Sequence, residues 1–494
     1  MPQTRQETAA GIVQTHIRQN ENNYMTNNNL TSVFFLGIGG IGMSAIARYY
    51  HSNGFTVAGY DRTPSPLTQE LQQEGITVVF DDATEAVPES FREREHTLIV
   101  RTPAVPDTQR QLVWFREQGF NILKRAEVLG EITRQMQALC VAGTHGKTTT
   151  STILAHLLYQ SDINTNAFLG GISNNYGTNL LLSKDSNYVV VEADEYDRSF
   201  HHLSPYMAVI TSVDPDHLDI YGDAAGFREG FEHFTSLIRK GGTLLLKQGI
   251  DLTPRVQEGV RVYRYSGLAD TKAEKPDFYA ENVVVRNGEI YFDFIAPNER
   301  IDNMRLGVPV WVNIENSVAA MAIAWLNGVT ESELRIGLAS YTGVYRRFNI
   351  HVNTDRVAYI DDYAHHPTEI RNSIQSVRRL FPERHLTVIF QPHLYTRTRD
   401  FADGFAEELS KADEVILLPI YPAREEPIEG VDSDMLLRKL TAPKCSLMST
   451  DELTEEIRRR AAGKEGDIGV IATVGAGDID RLIPTLTRLL QGNS

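Results

Sequence analysis

The stretch AGTHGKTTT, Ala142 to Thr150, has the composition of a phosphate-binding loop. The apolar run ALCV precedes it, and a helical pattern with Ile153, Leu154, Leu157 and Leu158 follows. In that context successive backbone N–H groups and a helix N-terminus can wrap an anion. Gly143, Thr144, His145 and Gly146 would form the wrap. Lys147 would reach the β and γ phosphates, Thr148 could hold Mg²⁺, and Thr149 would lead into the helix. The spacing departs from G-x-x-x-x-G-K-[ST]: counted back from Gly146, the first glycine falls at Val141, whereas the glycine stands at Gly143. The competing reading is a glycine-rich strand–helix turn whose lysine is merely exposed. Downstream, YVVVEADEYD places Glu192 directly after an apolar strand. A carboxylate there could anchor Mg²⁺, a hard cation that prefers oxygen ligands. Asp194 and Glu195 read as solvated or structural.

A second glycine loop, GIGGIG, fits G-x-G-x-x-G through Gly37, Gly39 and Gly42, and Asp61 ends the next strand pattern. That fingerprint suits NAD, with Asp61 on a ribose. A glycine turn at a helix N-terminus binds any diphosphate, including that of a UDP-sugar. Both readings stand on the residues alone, beside a tight turn without a ligand. His217, in TSVDPDHLDIYGD, lies among Asp214, Asp216 and Asp219 and reads equally as a structural side chain or as a metal or phosphate ligand. DDYAHHPTEI and QPHLYTRTRD add Asp361, Asp362, His365, His366, Arg397 and Arg399, a set suited to charged substrates. The paired histidines raise zinc, but no cysteine or H-x-x-x-H spacing supports it.

The elements that must carry these residues follow from periodicity. Ser32–Gly42, a helical pattern through Met43, Ile46, Ala47 and Tyr50, and FTVAGYD form a strand–turn–helix–strand unit. Further strands are expected at 77–80, 97–100, 188–191 and 207–211, and the first domain is expected to end within 124–134. Residues 251–298 read as an appended sheet, not a separate domain. NIENSVAAMAIAWLNGV is a helix stopped at Asn327–Gly328. Past Gly343, four apolar strands each lead into a polar loop. In open parallel sheets ligands bind beyond the carboxyl ends of strands, and Asp361–Glu369, Gln391–Arg399 and Gly475–Asp478 all lie there.

Composition sets the class. The 494 residues are 41% hydrophobic and 23% charged, an ordinary globular balance with material for several cores. A formal net charge of −16 argues against non-specific binding to nucleic acid or anionic membranes. No apolar run is long enough for a span. Cys140 and Cys445 form no framework and read as reduced thiols. Residues 1–30 are polar and Asn-rich and are expected to be a disordered extension.

FLGIGGIGMSAIA, GTHGKTTT, VEADEYDRSF, DHLDIYG, YRRF, DDYAHHPTEI, FQPHLYTRTRD and GAGDI occur in that order. Together they resemble the Mur ligases, from about Thr31 onward, and in that family the ATP loop is G-T-x-G-K-[ST], as Gly143–Thr148 reads here. The resemblance implies an α/β protein of three domains. A Rossmann-like domain over 31–134 would hold UDP-N-acetylmuramate. A P-loop ATPase-like parallel sheet with an appended β region, over 135–342, would hold MgATP. A Rossmann-like C-terminal domain over 343–494 would bring in the amino acid. The implied activity is ATP-dependent joining of L-alanine to the sugar-nucleotide carboxylate through an acyl phosphate, in cytoplasmic peptidoglycan synthesis. The protein would be a monomer or weak homodimer, with no nucleic acid and no membrane insertion.

By the same resemblance Gly37, Gly39, Gly40, Gly42, Asp61 and Thr102 would face the sugar nucleotide. Asn313 and Asn316 would lie on the adenine side, Arg347 by the nucleotide and Asp362 by the ATP ribose. Lys147, Glu192 and His217 would serve phosphoryl transfer, the latter two with Thr148 as Mg²⁺ ligands, while His366 and Arg397 would hold L-alanine. Two positions depart from the family. Val312 stands where it often has His, and Leu394 where many members have Arg, so Arg397 or Arg399 would compensate. Other readings are a ligase attaching a tripeptide to the same sugar nucleotide, an NAD-dependent oxidoreductase and a silent nucleotide-binding scaffold.

Overall fold

The computed structural model describes residues 29–216, 218–268, 275–286, 289–423, 425–463 and 468–492. The expected N-terminal extension and His217 therefore lie outside the described residues, apart from positions 29 and 30. The chain forms two compact units, Met1–Ile132 and Thr133–Ser494.

In the first unit, strands β1 (Ser32–Leu36), β2 (Thr56–Tyr60), β3 (Thr77–Val79), β4 (Thr97–Arg101) and β5 (Asn121–Lys124) make one sheet, ordered β3-β2-β1-β4-β5. All pairings are parallel. Parallel strands are covered on both faces, so they read as unbroken apolar runs. Val33, Phe34, Phe35 and Leu36 are all fully buried. The helix Ile41–Ser52 buries Met43, Ile46, Ala47 and Tyr50, as its periodicity predicts.

The second unit holds two sheets. The larger comprises β6 (Gln137–Ala142), β7 (Asn166–Ser173), β8 (Thr178–Leu181), β9 (Tyr188–Glu192), β10 (Met207–Ile210), β11 (Thr243–Lys247), β12 (Arg261–Ser266), β13 (Phe278–Arg286), β14 (Glu289–Ala296) and β15 (Glu299–Arg305). Its order is β15-β14-β13-β12-β11-β10-β6-β9-β7-β8. The stretch from β7 to β13 is parallel, while β14, β15 and β8 pair antiparallel at the edges. The appended β region thus continues the main sheet instead of standing beside it. The helix Val312–Leu326 is apolar nearly all round and accordingly buried against the helix Lys147–Tyr159.

The smaller sheet comprises β16 (Asn349–Asn353), β17 (Val357–Asp362), β18 (Leu386–Phe390), β19 (Glu414–Leu417), β20 (Lys444–Leu447) and β21 (Gly469–Val474), ordered β16-β17-β21-β18-β19-β20. Only β16 runs antiparallel to its neighbour. The three polar stretches singled out in the sequence follow β17, β18 and β21 at their carboxyl ends. Cys140 is buried and Cys445 partly buried, both as free thiols. No described helix is long and apolar enough to cross a membrane.

Candidate active site

In the first unit the glycine loop joins β1 to the helix Ile41–Ser52, whose N-cap Gly40 supplies no side-chain cap. The Gly39 N–H donates to Asp61 Oδ2 at 2.7 Å, and Thr63 N–H donates to Oδ1 at 3.3 Å. Asp61 therefore braces the loop, besides any contact it makes to a ribose. A Cβ at Gly39 would lie 2.7 Å from Thr68 Cγ2 and 2.8 Å from Asp61 Oδ2, so only glycine fits there. Thr102 follows β4 and abuts Gly37, and the Arg125 guanidinium abuts Gly42. These residues form one cluster, and Arg125 joins it without any signal in a glycine motif.

In the second unit the phosphate-type loop runs from β6 into the helix Lys147–Tyr159. Gly146 is the N-cap at φ +79°, the left-handed region that suits glycine, and a Cβ there would press on Asn316 Oδ1 at 2.8 Å. Lys147 Nζ donates to Gly143 O at 2.6 Å and to Thr144 O at 3.3 Å, and pairs with Glu195 at 2.7 Å. Burial would lower the Lys147 pKa, but Glu195, Glu192 and Asp194 outweigh it, so the ammonium stays charged. Of the two readings of Glu195, solvated or structural, the structure supports the second: it is 2% exposed and pairs with this lysine. Thr148 Oγ1 donates to Glu192 Oε1 at 3.0 Å, and Gly170 N–H donates to Oε2 at 3.1 Å. Burial raises the Glu192 pKa.

Asn316 accepts from Thr150 Oγ1 at 3.2 Å and donates to Asn313 Oδ1 at 3.1 Å, tying the helix Val312–Leu326 to the loop. Both asparagines, with Val312, Arg347 and Asp362, line a cavity of about 100 Å³ that reaches His145, Gly146 and Thr149. Its wall is mostly apolar on the Val308, Val310 and Val312 side, with the asparagines, Arg347 and Asp362 as polar fixtures. That balance suits a planar heterocycle with a polar edge. Burial pushes the Asp362 carboxyl up to about 6. The Arg347 guanidinium lies over the Tyr363 ring at 4.9 Å.

A second cavity, about 170 Å³, shares His145, Gly146, Thr149, Arg347 and Glu369 with the first. It brings Thr144, Lys147, Thr148 and Glu192 together with His366 and Arg397, which come from a distant part of the chain. His366 N-caps the helix Pro367–Leu380, its Nδ1 accepting from Thr368 N–H at 3.3 Å. Burial lowers its pKa to about 4, so the ring is neutral near pH 7. Arg397 lies on the helix Tyr395–Asp400 and faces Asp216 at 3.7 Å. Arg399, the alternative to it, is exposed and bonded to Asp400 at 2.8 Å. Leu394 N-caps that helix at φ +68°, an uncommon conformation for a branched residue.

Glu369 went unassigned in the sequence, yet it lines both cavities. Its Oε1 lies 3.5 Å from His145 Nδ1, and its Oε2 accepts from His365 N–H at 3.0 Å. His145 Nε2 in turn faces Asp214 at 3.4 Å. Burial would raise the Glu369 carboxyl, but His365, His145 and Arg347 hold it well below the usual range. Its signal was its place at the first turn of a helix after a strand-end loop, where a carboxylate also favours the helix dipole. The constellation can hold a polyphosphate against Lys147 and the loop amides, and a second anionic group against Arg397 and His366.

Three family descriptions match the chain in order: "Mur ligase family, catalytic domain" over 32–137, "Mur ligase middle domain" over 141–324, and "Mur ligase, glutamate ligase domain" over 346–477. A Parabacteroides distasonis protein named UDP-N-acetylmuramate–L-alanine ligase is 57% identical over 463 residues, covering 94% of this chain and 98% of its own. A Phocaeicola vulgatus protein of the same name is 53% identical, with coverage of 94% and 99%. Among solved structures, a UDP-N-acetylmuramate–alanine ligase from Thermotoga maritima superposes with a TM-score of 0.74 at 26% identity, covering 93% of this chain and 98% of its own.

Proposed function

The chain belongs to the Mur ligase family, and from that membership and the site we propose how it works. It is an ATP-dependent ligase that joins L-alanine to the carboxylate of UDP-N-acetylmuramate in peptidoglycan synthesis. The observation that carries the reading is the cavity where Lys147, Thr148 and Glu192 meet Arg347, His366 and Arg397. An oxidoreductase built on GIGGIG would leave that cavity without a purpose.

A carboxylate is a poor electrophile, so an amine cannot displace its oxygen directly. Phosphorylation by ATP supplies a leaving group, and phosphoryl transfer asks for positioning and charge neutralisation more than covalent help. Lys147 and the loop amides neutralise and orient the phosphates. The apolar wall with Asn313 and Asn316 takes the base, and Arg347 and Asp362 flank the sugar and phosphates. The paired oxygens of Thr148 and the half-buried Glu192 are hard donors that suit Mg²⁺. Thr148 and Glu192 would hold the ion, which would supply charge screening for phosphoryl transfer, and the family resemblance adds His217 to them. Arg397 and the neutral His366 hold the amino-acid carboxylate. In the first unit Gly37, Gly39, Gly40 and Gly42, braced by Asp61 and flanked by Thr102, hold the diphosphate of the sugar nucleotide.

The test is phosphate release with ATP and UDP-N-acetylmuramate while the amino acid is varied. L-Alanine should support the fastest release, with glycine and L-serine poorer but detectable, since discrimination by one small group is roughly 1–3 kcal/mol. Faster turnover with a tripeptide, or release that needs no sugar nucleotide, would replace this reading.

A further inference from the structure

The two adjacent histidines of DDYAHHPTEI are held in opposite tautomers, because each Nδ1 faces a partner with only one possible role. Tyr363 O, 3.0 Å from His365 Nδ1, can only accept, and the Glu369 carboxylate, 3.3 Å away, accepts as well. The His365 proton therefore sits on Nδ1, and Nε2 carries the lone pair. Thr368 N–H, 3.3 Å from His366 Nδ1, can only donate. The His366 proton therefore sits on Nε2. Both rings line the cavity that holds Lys147 and Arg397. The pair of lining rings thus carries one acceptor nitrogen and one donor.

This division matches a need of the reaction proposed above, on which the inference rests. An amino acid near neutral pH is an ammonium and has no lone pair with which to attack a carbonyl. The carboxylates on the cavity wall are already committed: Glu195 to Lys147, Glu192 to Thr148 and Gly170, Asp216 to Arg397, Glu369 to His365 and His145, Asp194 to Tyr196 N–H. Lys147, Arg347 and Arg397 are cations and cannot accept. We propose that His365 Nε2 takes the proton from the ammonium of the incoming amino acid, while His366 Nε2–H donates to an anionic group of the same reactants.

The groups facing His365 come from each packed element. Glu369, on the helix Pro367–Leu380, stabilises the imidazolium as it forms, while Arg397 and Arg347 oppose it. His393 lies beside it, with ring centroids 6.3 Å apart. Burial, the largest influence, keeps the His365 pKa below its ordinary value, so the ring is neutral when substrate arrives. The proton count closes. One proton passes from the ammonium to His365, and the amine nitrogen then bonds the acyl-phosphate carbon. As the tetrahedral adduct collapses, the C–O bond to phosphate breaks and the second nitrogen proton leaves with the phosphate. His365 returns its proton to water.

His365→Gln separates this role from structure when two nucleophiles are compared at pH 7.5 with ATP and UDP-N-acetylmuramate. Hydroxylamine is uncharged there and needs no proton removed before it attacks an acyl phosphate. The variant should lose L-alanine ligation by about 10²–10³-fold while hydroxamate formation stays within about threefold. Its alanine rate should also climb with pH as free amine accumulates, whereas the wild-type rate levels off. Parallel loss of both products, unchanged alanine ligation, or a loss flat with pH would each overturn the proposal. Wild-type protein that makes neither product would instead overturn the ligase reading itself.

Discussion

Lys147 has three protein acceptors around Nζ, and two of them are carbonyls of its own loop. Phosphate oxygens must replace those carbonyls during turnover, while Glu195 remains as a counter-charge behind the ammonium. Lys147→Ala should therefore leave folding nearly intact and lower ligation on the order of 10²–10³-fold, the usual loss for one charge-stabilising donor in a water-poor site. A melting curve beside steady-state rates checks both halves of this expectation. Arg397 is the arginine of QPHLYTRTRD that lines the cavity, whereas Arg399 points to solvent. Arg397→Ala should raise the L-alanine KM strongly and leave UDP-N-acetylmuramate affinity unchanged. Initial rates over an alanine series, with calorimetry for the sugar nucleotide, would show it.

At the scale of elements, the helix Lys147–Tyr159 is fastened at both ends. Its first turn carries the phosphate loop. Farther along, His156 bonds Tyr176 Oη through Nδ1 at 2.7 Å and Ser340 Oγ through Nε2 at 3.0 Å. His156 is 4% exposed, and burial lowers its pKa to about 4. The unfolded chain takes up a proton near the ordinary value of 6.5, while the folded chain refuses it until about pH 4. Stability is thus intact above pH 6.5 and falls as pH drops from 6.5 toward 4, by up to about 3 kcal/mol from this group. His156→Gln should be less stable at pH 7 but lose less between pH 7 and 4. Urea unfolding followed by Trp311 and Trp325 fluorescence, both in the second unit, measures the difference.

Over the whole molecule, the two glycine loops sit in separate compact units with separate cores. Binding at one loop should survive damage at the other. Gly39→Val would drive side-chain atoms into Thr68 and Asp61 and break the brace under the first loop. UDP-N-acetylmuramate affinity should fall at least about tenfold, a change of about 1.4 kcal/mol, while ATP affinity is retained. Calorimetry with each nucleotide separately decides this, and equal loss of both would show that one loop serves both ligands. The second unit contains the opposite design: segments after β17 and β18 supply His365, His366, Glu369 and Arg397 to the cavity around the phosphate loop. There the His145–Glu369 pairing couples the helix Pro367–Leu380 to the phosphate loop.

What the chain alone determined was local. The glycines that precede Lys147, the acid that ends β9 and the apolar parallel strands are legible because backbone conformation and strand burial constrain the residues at those very positions. The ordered motifs likewise sufficed for the ligase class. Tertiary structure decided which polar residues share a cavity. It drew Glu369 to His145, assigned Glu195 to Lys147, and separated Arg397 from Arg399 on one short helix. It also gave His365 and His366 opposite tautomers. None of these had a periodic signal, because each depends on partners brought from distant segments, and a side chain's protonation and direction follow the partner, not the neighbours in sequence.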